Sequence, residues 1–187
     1  MTFFLVAGEA SGDARGAELI AALRERDPAC RFAGLGGPKM RSMGGEGIED
    51  WIDRAAVIGV VDVLRNYGFF KRYLEKTGDA IGALRPDAVV LIDYPGFNLR
   101  LAGAVKRRDR SIRVIDYISP QVWAWNTGRV GKMAAILDKV LCIFPFEKAL
   151  YEKSGLSAEF VGHPIIDALG PLRTGSGRDP NLVALLP

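Results

Sequence analysis

The chain has 187 residues, 49% hydrophobic and 25% charged, which is enough apolar material for one well-packed domain. Its 25 basic and 22 acidic residues leave a net charge of +3, too small to argue for nucleic acid, although a local basic face can still meet phosphate or anionic lipid. The MTFFLVAG start lacks the basic opening and cleavage site of a secretory signal, no run reaches the ~18 apolar residues of a membrane span, and Cys30 and Cys142 have no metal-type spacing. The expectation is a cytosolic chain with reduced thiols, able to touch a membrane from outside.

In chain order, residues 3–7 read as a buried strand, followed by the turn Gly8-Glu9-Ala10-Ser11-Gly12-Asp13. That turn offers backbone N–H groups and a helix start to an anion, but it is neither a dinucleotide fingerprint nor a P-loop, and Asp13 is equally a cap for the helix it opens. Gly16, Leu19, Ile20 and Leu23 give this helix its apolar stripe, Arg24, Glu25 and Arg26 face outward, and Pro28 stops it. Residues 32–35 form the next strand run. It leads into the glycine-rich turn of residues 34–40, suited to close ligand approach or simply to a tight bend.

Residues 56–84 carry two apolar stripes. Val57, Val60, Val61 and Leu64 make one; Val63, Tyr67, Phe70 and Leu74 make another, offset from it, with Arg65, Lys71, Arg72 and Lys76 around it. The second stripe suits a lipid surface, where aromatics insert and cations meet anionic head groups; the alternative is a helix pair packed in the core, broken at Gly68.

Residues 88–92 form the most apolar strand run, so Asp93 emerges at a strand's carboxyl end, stiffened by Pro95 and Gly96. Partial burial there raises a carboxyl toward a useful general base; the alternative is a cap for a helix beginning near Asn98, whose apolar face is Leu101, Ala102 and Val105. Lys106, Arg107 and Arg108 read as a solvated helix end complementing its dipole.

Residues 114–117 are another strand, followed by YISPQVWAWNTGR, in which Trp123 and Trp125 sit beside polar groups as in a ligand cleft, or else cap a sheet edge. Arg129 and Lys132 beyond them can neutralise a phosphate or serve as ordinary surface charge. Residues 140–143 and 159–161 are the last strands, and His163, the single histidine, follows at a strand end without a serine or cysteine to make a triad. Strands alternating with helices predict an α/β fold, a doubly wound parallel sheet with its ligands beyond the carboxyl ends of the strands. Residues 1–169 are expected to be one Rossmann-like domain, 170–181 a linker, and 182–187 the start of a second domain whose remainder is missing.

The strings AGEASGD (7–13), GLGGPKM (34–40), IDYPGFN (92–98), YISPQVWAW (117–125), FPFE (144–147) and FVGHP (160–164), in this order, closely resemble the lipid-A-disaccharide synthase family. The resemblance implies the N-terminal, acceptor-side half of a two-domain GT-B inverting glycosyltransferase of lipid A biosynthesis in Gram-negative bacteria. Such an enzyme joins UDP-2,3-diacylglucosamine to 2,3-diacylglucosamine 1-phosphate, releasing UDP. It implies Asp93 as the catalytic base, with no acid/base role at Gly96, where some relatives carry a second acid. Glu9, Ser11, Gly12, Asn98, Gln121, Trp123, Arg129 and His163 are the substrate-binding candidates, and Val63, Tyr67, Phe70 and Leu74 the membrane or acyl-chain ones. No cofactor or metal is implied, since helix dipoles and basic groups can stabilise departing UDP.

The implied partners are the two acylated sugars, the inner-membrane surface as a peripheral site, and a separate C-terminal half or a homodimer, with no nucleic acid. In the family LLP is followed by Gly-Ser-Arg and a second domain, so the expectation is that the isolated chain does not turn over unless another chain supplies that half. Two alternatives stay open: a non-catalytic acylated-sugar or lipid-binding module, and another GT-B-like sugar-nucleotide enzyme such as an epimerase or a peptidoglycan glycosyltransferase.

Overall fold

A computed structural model describes residues 1–55, 67–125 and 128–170, excluding the side chains of Tyr67, Ala124, Trp125 and Ala168. The apolar runs become parallel strands: β1 (Thr2–Ala7), β2 (Arg31–Gly36), β4 (Ala88–Ile92), β5 (Arg113–Tyr117), β6 (Lys139–Cys142) and β7 (Ala158–Phe160). A further strand, β3 (Ile48–Asp50), was not expected; it has one buried residue, Ile48, and is held at the edge beside β2. The order is β3-β2-β1-β4-β5-β6-β7 with every pairing parallel, so the winding direction reverses between β1 and β4. A crevice beyond the strand ends is created at such a reversal.

Both faces of the sheet are covered, which is why β4 is apolar throughout: Val89 and Leu91 enter one core cluster, Val90 and Ile92 the other. The second cluster is closed by Ile20 from α1 (Ala10–Arg26) and Met40 from α2 (Pro38–Gly44). The first is closed by α3 (Ile52–Ala55), α4 (Tyr67–Leu84), α5 (Pro95–Arg108), α6 (Val122–Trp125), α7 (Arg129–Ile136) and α8 (Pro145–Glu152); α9 (Pro164–Leu169) follows β7. No helix among the described residues is long and apolar enough to cross a membrane.

Several expectations are corrected here. The helix after β4 begins at Pro95, so Asn98 lies inside it and Tyr94 is its N-cap. Lys106 is not a solvated end: it is 8% exposed, paired with Asp138 at 2.6 Å and donating to the Ile112 carbonyl at 2.7 Å. Gly68 stands in the first turn of α4; residues 56–66 of the two-striped segment lie outside the described residues, as do residues 171–187 of the expected linker and second domain.

Asp13 does not cap its own helix either. Its buried carboxylate reaches across to the N-terminus of α2 and accepts from the backbone N–H groups of Gly37 (2.8 Å), Lys39 (3.0 Å) and Met40 (2.9 Å). Those donors would otherwise be unpaired, so the bond set welds the β1 and β2 exits into one unit. Asp13→Ala is expected to lower unfolding stability by about 2–4 kcal/mol. Chemical denaturation will read this as a lower midpoint, and a loss below about 0.5 kcal/mol would refute the weld.

Candidate active site

The reversal between β1 and β4 brings the first turn against the β4 exit. Gly8 is buried there against the Tyr94 ring, into which an added Cβ would run. Asp93 and Tyr94 both adopt left-handed backbone, φ +49° each, which bends the chain sharply before Pro95 starts α5. The bend is clamped from several sides. The Asn98 amide donates to the carbonyls of Asp93 (2.6 Å) and Ile92 (3.3 Å), with a longer contact to that of Val6 (3.5 Å). The Asp93 N–H donates to the Tyr117 carbonyl at 3.1 Å, and the Tyr94 hydroxyl to the Ala55 carbonyl at 2.9 Å.

An aromatic cluster supports this loop from below. Trp51, 1% exposed, donates its indole N–H to the Ala7 carbonyl at 2.6 Å and packs against Phe97 (4.9 Å), Tyr73 (5.3 Å) and, edge-on, Tyr94 (6.1 Å). Sequence reasoning passed over Trp51, since a lone tryptophan after a three-residue strand has no periodicity to expose it. Asp93 itself is half-buried, and burial pushes its carboxyl above the ordinary aspartate range, opposed in part by the Tyr94 backbone N–H. A carboxylate so placed can accept a proton from a bound hydroxyl.

Of the other first-turn residues, Glu9 and Ser11 are exposed beside the crevice, and Glu9 is close enough that its charge, after burial, helps raise the Tyr94 phenol. Gly12 is buried against Ala7 and Ile92, where it packs α1 onto the sheet. Asn98, wholly buried, spends its amide hydrogens on backbone carbonyls, while its Oδ1 has no hydrogen-bond partner.

The β5 exit forms the adjoining wall. Ile118 is left-handed, φ +65°, a rare state for a β-branched residue, and turns the chain toward Gln121, which is exposed. Trp123 is 41% exposed, yet its indole N–H is fixed on the Oε1 of Glu147 at 3.2 Å. Glu147 is fully buried at the start of α8, where its Oε2 also accepts the Phe144 N–H at 3.2 Å. It was not singled out as a site residue, although the FPFE string carries the signal: a carboxylate in the first turn of a helix, after proline.

Rings continue from there along the edge. Trp123 meets Phe146 at 5.2 Å, Phe146 stacks on Phe144 at 5.6 Å, and Phe144 lies 5.7 Å from His163. His163 is the N-cap of α9, its Nδ1 accepting the Ile165 N–H at 3.2 Å, which leaves the proton of the neutral ring on Nε2. Three strand spacings, about 14 Å, separate its strand β7 from β4, so His163 stands at the margin of the sheet and Asp93 at its centre. Arg129 is exposed at the start of α7.

Among the membrane candidates, Phe70 and Leu74 pack half-buried against the core, Tyr67 opens α4, and Val63 lies outside the described residues. Among the described residues no group of three or more His, Cys, Asp or Glu side chains is placed to hold a metal ion.

Comparison with known proteins sets these features in a family. Solved structures share the architecture: a UDP-GlcNAc 2-epimerase from Neisseria meningitidis bound to UDP-GlcNAc matches with a TM-score of 0.64 at 12% identity, covering 91% of this chain and 48% of that one. MurG of Acinetobacter baumannii matches at 0.51 and 13%, covering 78% and 41%. At such identities they establish the fold alone, a match to about half of each of those chains. Curated relatives named lipid-A-disaccharide synthase are far closer: that of Geobacter metallireducens is 42% identical over 98% of this chain and 49% of its own length, that of Shigella flexneri 44% over 100% and 50%. The chain thus spans about half the length of the curated relatives it matches. The profile described as lipid-A-disaccharide synthetase matches residues 3–178, and on that span and these identities the chain belongs to the lipid-A-disaccharide synthase family.

Proposed function

We propose that this chain is the acceptor-side half of an inverting glycosyltransferase that joins UDP-2,3-diacylglucosamine to 2,3-diacylglucosamine 1-phosphate. The observation that carries the reading is the half-buried Asp93 carboxyl at the point where the sheet reverses, in a chain of this family. Asp93 takes the proton of the acceptor's 6-hydroxyl as that oxygen bonds to the donor's anomeric carbon. The bond from that carbon to UDP breaks on the opposite face, UDP keeps the electron pair, and the configuration inverts. The exposed Glu9, Ser11 and Gln121 and the aromatic wall of Trp123 are the groups available to orient the sugars, with Arg129 and His163 further along the edge toward phosphate. UDP is stabilised chiefly by the second half of the enzyme, and the two halves act together, in one chain or as separate chains.

The acyl chains and the membrane fall to the α4 side. There the half-buried Phe69 and Phe70 adjoin the exposed cations Lys71 and Arg72, a pairing of inserted rings and head-group contacts that supports peripheral attachment to an anionic bilayer. Val63 and Tyr67 extend the same stripe in sequence. Each acyl methylene removed from water contributes about 0.8 kcal/mol, so an apolar landing for these substrates is a requirement of their chemistry.

Mixed with a separately expressed C-terminal half and both acylated sugars, the chain is expected to release UDP, and Asp93→Asn to reduce that rate by about 10²–10⁴-fold. A variant as active as the parent would end the assignment of the base. Because burial raises the Asp93 carboxyl and only its ionised form accepts a proton, kcat/KM should rise with pH along a limb centred above the ordinary aspartate value of about 3.9. A limb at or below that value contradicts the geometry. Glu147→Ala frees the Trp123 indole; intrinsic fluorescence should shift and KM for an acylated sugar rise about tenfold, the cost of roughly one hydrogen bond. For the membrane, co-sedimentation with vesicles containing anionic lipid should weaken about 30-fold in Lys71→Ala/Arg72→Ala, at about 1 kcal/mol per cation; unchanged binding would place the contact elsewhere.

A further inference from the structure

We propose that Asp116 is a positioning residue for the base: Asp93 and Asp116 form a coupled carboxyl pair that carries one negative charge, and the burial of Asp116 assigns that charge to Asp93. This rests on Asp93 being the base, as proposed above.

Asp116 is the fourth residue of β5, in register with Leu91 of β4 and Val140 of β6, both fully buried. It is itself 2% exposed, and its Oδ2 has no hydrogen-bond partner. One residue on, the Tyr117 carbonyl receives the Asp93 N–H at 3.1 Å, so the two carboxyls hang from adjoining, hydrogen-bonded strand ends. The ionisable groups around Asp116 are Asp93 from the β4 exit, Cys142 from β6, and Glu147 and Tyr151 from α8. None of the ion pairs among the described residues involves any of these five.

Three carboxyls near one another, with no cation paired to them among the described residues, cannot all be ionised in a poorly hydrated interior. Their surroundings decide which one keeps a proton. Glu147 accepts two N–H groups, and Asp93 reaches the crevice and solvent. Asp116 has neither advantage: burial first, then the charges of Asp93 and Glu147, hold its carboxyl well above the ordinary range. Burial likewise pushes the neighbouring Cys142 thiol up to about 12 and raises the Tyr151 phenol. Asp116, Cys142 and Tyr151 are thus neutral, and the group that meets the acceptor hydroxyl bears the charge. The coupling is reciprocal, so protonating Asp93 makes Asp116 more acidic by the same free energy.

The test is carboxyl-carbon NMR titration of the chain in parent, Asp93→Asn and Asp116→Asn forms, which needs no turnover. In the parent, the Asp116 signal should stay at its protonated position while surface carboxylates titrate. In Asp93→Asn its midpoint should fall by about one pH unit or more. Titration of Asp116 together with the surface carboxylates, or a midpoint unmoved by Asp93→Asn, would overturn the proposal.

Thermal melting is the second readout. The unfolded chain loses this proton from about pH 3.9 upward while the folded chain keeps it, so folded stability declines as pH rises through that interval. Asp116→Asn removes the decline: its Tm should equal the parent's near pH 4 and exceed it by a gap that widens toward neutral pH. A variant less stable by a constant amount at every pH would instead mark a purely structural residue. A UDP-release rate insensitive to Asp93→Asn would end the assignment of the base while leaving the measured coupling intact, so the two failures are distinguishable.

Discussion

The Asn98 side chain is the constraint on which the site depends. Where a parallel sheet reverses its winding, the chains leaving the two central strands part company, and their last carbonyls lose the neighbours that pair them elsewhere. A fully buried amide fills that gap, donating to the Ile92 and Asp93 carbonyls and lying near that of Val6. Two successive residues with positive φ would each cost about 1–3 kcal/mol unless the surroundings over-determine them. Asn98, the Tyr94 hydroxyl and the Trp51 cluster supply that determination, and with it the placing of Asp93.

Four acidic residues near the strand ends show how environment divides one chemistry among several tasks. Asp13 accepts three backbone N–H groups and is a structural weld. Glu147 accepts two donors and fixes an exposed tryptophan. Asp93 is clamped through its backbone while its carboxyl is left half-buried at the crevice. The fourth, Asp116, is buried without a partner for its Oδ2. The same functional group serves as a cap or a tether, and is proposed as a base or an uncharged floor, according to how many donors face it and how much water reaches it.

Much of this was legible in the sequence because strands buried on both faces are continuous apolar runs, and a residue just after such a run must stand at the ligand edge. Asp93, the glycine turns, Trp123 and His163 were found that way. The helix start was misplaced at Asn98 because a capping residue type was weighed over Pro95, whose fixed φ suits the first helical position. Asp13 was read as a local cap because its three donors lie 24 to 27 residues downstream, a pairing that sequence spacing does not reveal. Glu147 and Asp116 were missed for a related reason: their burial comes from α8 and the flanking strands closing over them. The edge strand β3 was overlooked since a single buried residue gives no alternation.

The origin of the shift at Asp93 bears on the proposed reaction. Its carboxyl is raised by burial within this half, opposed only by the Tyr94 backbone N–H, and no group from elsewhere is needed to tune it. In the proposed reaction a base at Asp93 is therefore held in place by this chain's own residues. Stabilising the departing diphosphate is a different demand, since it requires donors and cations converging on a charge that develops in the transition state. The crevice floor described here is lined instead by carboxyls and rings. Under the proposed function, proton abstraction thus falls to the Asp93 loop, and the electrostatics of the leaving group to donors elsewhere.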